Sequence, residues 1–182
     1  MKTINKSIKL LVLAGIICFG WASAAFANFQ TVGHTCTVTV PEVLSITADT
    51  STIALNFSDW STGAVSDTKT VVYTVNSNDM GQADGDTAIN ANLDYLYDRI
   101  DFKAKVGSYT KVGGNTELAA ISSNYVTIGS SNTAIAKKAN TTSSTDGKLL
   151  KGMLPITYQA VATANVPAGP QTHLMFITLT TR

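Results

Sequence analysis

"LPITYQAVATANVPAGPQTHLMFITLTTR", residues 154–182, sets two apolar runs on either side of a Pro-Ala-Gly-Pro pinch. In the first run Ile156, Tyr158, Ala160 and Ala162 alternate with Thr157, Gln159 and Val161. A period of two puts one set on each face of a strand. Pro167, Gly169 and Pro170 supply turn chemistry. In the second run Leu174 and Phe176 face one way, and Met175, Ile177 and Leu179 face the other. A strand apolar on both faces is expected to be covered on both sides. The two runs therefore read as a closing β-hairpin, with Leu174, Phe176 and Ile177 in the core of its last strand.

The same rhythm extends upstream. In "VGHTCTVTVPE" Val32, His34, Cys36, Val38 and Val40 share one face, and Thr35, Thr37 and Thr39 the other, until Pro41 ends the run. Further strands are expected over residues 43–48 and 52–57, in "KTVVYTVNSN", in "DFKAKVGSYT" and in "YVTIG". "KKANTTSSTDGK" reads as a polar loop. One stretch breaks the pattern. Ile89, Leu93, Leu96, Tyr97 and Ile100 fall at helical spacing, which predicts a short helix over residues 87–99 with Asp86 or Thr87 as its N-cap. Many short strands separated by Gly, Pro and Asn turns predict an all-β fold, an antiparallel β-sandwich with one short helical insertion.

The amino end predicts a compartment. Lys2, Lys6 and Lys9 precede the apolar run "LLVLAGIICFG", and Ala25-Phe26-Ala27 follows as a small-x-small site. That three-part pattern is a secretory signal peptide over residues 1–27, leaving one domain over 28–182. The apolar run is short for a spanning helix, so no stable membrane span is expected after cleavage. The whole chain has 13 Lys and Arg against 12 Asp and Glu. Removing the three leader lysines leaves a weakly acidic domain without a basic stripe, which argues against nucleic acid and anionic membranes as partners. Of the two cysteines only Cys36 lies beyond the leader. Its valine neighbours suggest a small buried thiol rather than a reactive one.

Candidate chemistry is sparse. His34 and His173 are the only histidines, and no G-x-S-x-G nucleophile elbow occurs. The only glutamates are Glu42 and Glu117. No catalytic set, cofactor site or metal centre is expected. Asp84, Asp86 and Asn90 offer hard oxygen ligands for calcium, but their loop lacks the glycine and closing glutamate of an EF-hand. Turn and cap roles explain them more simply. Trp60 and the tyrosines are candidates for a carbohydrate platform, or equally for core packing.

The Ala-x-Ala leader, the Thr-rich strand "HTCTVTVPE" and the ending "ANVPAG…THLMFITLT" resemble secreted bacterial surface and pilus-type subunits. The resemblance implies an immunoglobulin-like sandwich and a non-enzymatic structural or adhesive role at the cell surface. A fibre subunit of this kind, in the periplasm, on the surface or outside the cell, would bind itself or other surface proteins by β-strand addition. Val32, His34, Cys36, Val38 and Val40 are the candidate assembly strand. The chain departs from such pilins in lacking paired cysteines and in its expected helix. The alternative is an extracellular module that binds carbohydrate or calcium.

Overall fold

The computed structural model describes residues 35–81, 83–139 and 148–181. The expected leader, Val32, His34 and most of the polar 137–148 loop lie outside them. The chain divides into two compact units, Met1–Thr39 and Val40–Arg182. In the first, described residues 35–39 form no strand and Cys36 is exposed, which corrects the expectation of a buried thiol. Residues 40–43 of the second unit are also irregular. The alternation of Cys36, Val38 and Val40 is thus present without a ladder, with Val38 85% and Val40 73% exposed.

The second unit is all-β, with two antiparallel sheets and no helix among the described residues. The first sheet holds β1 (Leu44–Ala48), β2 (Lys69–Ser77), β9 (Leu150–Ala162), β4 (Ile100–Val106) and β7 (Val126–Thr127) in that order, with β5 (Thr110–Gly114) also on β9. The second runs β10 (Met175–Leu179), β3 (Thr87–Leu93), β8 (Thr133–Ala139) and β6 (Glu117–Ala120). Between them lie Val71, Tyr73 and Val75 of β2, Leu154, Ile156 and Tyr158 of β9, and Ile89, Ala91 and Leu93 of β3, all buried. Full burial of each large apolar side chain is worth about 1.5–3 kcal/mol relative to exposure.

β9 organises the first sheet. Every second residue from Leu150 to Ala162 is buried, as the alternation of Ile156, Tyr158, Ala160 and Ala162 predicts. Pro155 sits in its middle, where a central strand seldom tolerates a residue without an N–H. The neighbouring edge explains it. β4 pairs with residues 156–162 and β5 with residues 150–153, so the two run along β9 as one strand broken at 107–109. Pro155 C=O accepts from Gly107 N–H at the break, so its missing donor faces the place where the ladder is already interrupted. Gly152 is also required, because a Cβ there would collide with Thr110 C=O and the Tyr109 ring.

Three expectations of secondary structure are corrected. Residues 87–99 are not helical: β3 occupies 87–93, and the chain turns through 94–99 into β4. Ile89, Ala91 and Leu93 all point inward, so the period is two once Ala91 is counted. A register shift between Thr87 and Ile89 buries Ala88 as well, and this bulge imitates a helical stripe. Arg99 closes the turn at φ 56°, a left-handed conformation costly for any residue but glycine. Residues 52–57 are extended in pattern but form no strand. Finally, β9 and β10 make no hairpin. β9 pairs with β2, β4 and β5, whereas β10 pairs with β3 in the other sheet, so residues 163–174 are a crossing between sheets. A hairpin closes over two to five residues, and this connection is much longer.

Within β10 the two faces alternate as expected, but the core face is Met175, Ile177 and Leu179. Leu174 is 64% and Phe176 49% exposed on the outer face, so neither is a core residue. β10 ends its sheet and nothing packs over its outer side.

Candidate functional site

The distinctive surface of the second unit is the flank where both sheets end. β1 is the edge of one sheet and β10 the edge of the other. Between them a cleft of about 340 Å³ is lined by Ile46 and Ala48 from β1 and by Met175 and Ile177 from β10. A larger cleft of about 910 Å³ adjoins it, with residues 52–60 and 166–173 as walls and Phe102 and Ala160 beneath. The two share Ile53, Tyr97, Phe102 and His173, so the flank is one continuous apolar trough.

Local chemistry explains why the flank stays open. β1 pairs with β2 up to Ala48 opposite Tyr73. At the next pair Asp49 N–H donates to Val72 C=O, but Val72 N–H is taken by the Asp49 carboxylate instead of a carbonyl. The side chain replaces the main chain, and the strand leaves the sheet. In an antiparallel ladder alternate residues point their N–H and C=O to the same side. Thr70 therefore directs both groups where Val72 does, towards the side that β1 has vacated. Its hydroxyl lies 2.8 Å from that of Thr157, the close approach expected of a pair that does not share main-chain bonds.

Residues 52–57 enter this space. Ile53, Leu55 and Phe57 are half-buried, while Ala54, Asn56 and Ser58 are exposed. Their main chain is clasped at one place. Asn56 C=O accepts from Asp67 N–H at 3.0 Å. The Asp67 carboxylate in turn accepts Asn56 N–H at 2.7 Å and the Asn56 amide at 3.2 Å. These bonds, the main-chain one first, hold the Asp67 carboxyl below its usual range.

The opposite wall is stapled to the turn after β3. Asp98 N–H donates to the Gln171 amide oxygen, and the Gln171 amide donates back to Asp98 C=O. Asp94 accepts from Tyr95 N–H and Leu174 N–H and lies 3.6 Å from His173 Nδ1. Arg99 reaches Asn165 C=O at 3.0 Å. His173 meets Tyr97 edge-on at 4.4 Å, Tyr97 stacks on Phe102, and Phe102 stacks on Tyr158. Tyr158 closes the series through a hydroxyl pair with Tyr73 at 2.9 Å. Burial raises the hydroxyl pKa of Tyr97, Tyr73 and Tyr158. The His173–Asp94 pair belongs to this staple, since the Asp94 oxygen is spent on main-chain donors.

Of the calcium candidates, Asp86 accepts Ala83 N–H to close the turn before β3, Asp84 is exposed in that turn, and Asn90 lies within β3. Among the described residues no group of three or more His, Cys, Asp or Glu is placed to hold a metal ion. Trp60 is 64% exposed at the rim of the larger cleft, its C=O accepting Val166 N–H. No described helix is long and apolar enough to cross a membrane. Sequence reasoning missed the trough because its walls carry no ladder. The alternation of Ile53, Leu55 and Phe57 was its only trace. The chain matches no family model, no characterised protein and no solved structure.

Proposed function

We propose that this chain is a non-enzymatic structural or adhesive subunit, secreted beyond the inner membrane, that joins copies of itself or other surface proteins by β-strand addition. An immunoglobulin-like arrangement of the two sheets is part of the proposal. The observation that carries it is the apolar trough bordered by β1 and β10, the edges of both sheets. An added strand gains affinity from main-chain bonds to an open edge and specificity from pockets for alternate side chains. The trough offers both, through Thr70 and through the half-buried faces of Ile46, Met175 and Ile177. The donor is the segment 28–40, whose Cys36, Val38 and Val40 are exposed. Deleting residues 28–40 is expected to abolish fibres of the purified protein in electron micrographs while the sheet signal in circular dichroism persists. Fibres that survive the deletion would refute donation by this segment.

A second reading, a carbohydrate-binding module, is favoured by Trp60 alone, exposed beside the cleft with Asp59 next to it. Glycan retention abolished by Trp60→Ala would support it.

A further inference from the structure

We propose that residues 52–57 are a built-in placeholder in this trough, an extended segment of the chain that holds the acceptor site until a strand from a second copy displaces it. The proposal rests on the strand-addition reading. The segment presents Ile53, Leu55 and Phe57 to the trough as an inserted strand would, at every second residue. It thereby displays the ligand chemistry the trough accepts, an extended polypeptide with alternating apolar side chains. It does not take the main-chain bonds of a strand. Among the described residues its one main-chain bond to the sheet side is Asn56 C=O with Asp67 N–H. The occupant that matches is residues 28–40 of another copy, which repeat the period with Cys36, Val38 and Val40.

What retains the placeholder is the clasp between Asn56 and Asp67, and both residues are exposed. Exposed polar contacts contribute little to stability, so the clasp opens without unfolding the core. An incoming strand repeats the apolar contacts and adds ladder bonds, so exchange runs towards insertion. The clasp then sets the rate of exchange.

The test is uptake of a fluorescent peptide of residues 28–40, carrying Cys36→Ser, by the purified protein, followed by anisotropy. Asp67→Ala is expected to speed uptake at least tenfold, and Asp67→Asn, which keeps one acceptor oxygen, to give an intermediate rate. Ile135→Val, a mild core change in β8, is expected to leave the rate unchanged. Uptake by the unaltered protein that Asp67→Ala does not accelerate would overturn the placeholder and leave strand addition standing. Equal acceleration by Ile135→Val would assign the effect to general loosening and overturn it too. Uptake by none of the proteins would refute strand addition, and the placeholder with it.

Discussion

Tyr158 and Tyr73 show what one polar pair does inside an apolar core. Each is buried, and each hydroxyl has the other as its partner at 2.9 Å. Removing one hydroxyl strands the other, which costs about 1–3 kcal/mol, whereas removing both leaves nothing unsatisfied. Tyr158→Phe and Tyr73→Phe are therefore each expected to lower the urea midpoint, and the double substitution to cost less than the sum of the two. Strictly additive losses would mean that each hydroxyl has another partner. The tyrosines also fix an alkaline limit. Burial raises the pKa of Tyr73, Tyr97 and Tyr158, and pushes Tyr109 from 10.0 up to about 12. The unfolded chain ionises these groups near 10.0 while the folded chain keeps them neutral, so their contribution is complete below that pH and is lost as pH rises through about 12. Denaturant midpoints are expected to fall between pH 9 and pH 11, and a flat profile would show the tyrosines to be open to water. At this scale Tyr158 was legible from the alternation in β9. Its hydroxyl partner was not, because Tyr73 is 85 residues away in the chain.

Strands were more legible than their partners. Alternation located β1, β2, β9 and β10 because inward and outward residues differ chemically along one strand. Pairing is a long-range choice, and nothing in the 163–174 connection reveals that it changes sheets. A bulge defeated the period count in β3, where the shift beside Ala88 placed two neighbours inward together. The trough was illegible for a related reason: alternation in residues 52–57 reports which side chains are covered and is silent on hydrogen bonding. β10 gives the sharpest test of its faces. Ile177→Ala removes a side chain that packs against the core and is expected to cost about 2–4 kcal/mol, the lower range for such truncations because the site is half-buried. Phe176→Ala removes a larger ring from the outer face and is expected to cost under about 1 kcal/mol. The thermal midpoints of the two variants settle the register, since the reverse order would place Phe176 inward.

For the whole molecule the question is what force brings copies together. With 13 basic and 12 acidic side chains the protein carries little net charge. Its ion pairs are local: Arg99–Asp98, Lys103–Asp101, Lys111–Glu117 and Lys148–Asp79, each of 3.3–3.7 Å and partly or wholly exposed. Such pairs contribute roughly 0–1 kcal/mol and form no single-sign field that could steer a partner. The trough offers the other driving force, apolar burial between Ile46, Ile53, Met175 and Ile177 with main-chain bonding at the sheet edge. Salt separates the two. Raising ionic strength from about 0.05 to 0.5 M shortens the screening length severalfold and weakens exposed charge attraction, while apolar burial is untouched or slightly strengthened. The affinity of the protein for the 28–40 peptide is therefore expected to change by less than about twofold across that range. A tenfold loss would assign association to charge, and the acceptor would then have to be sought among the surface lysines rather than between β1 and β10.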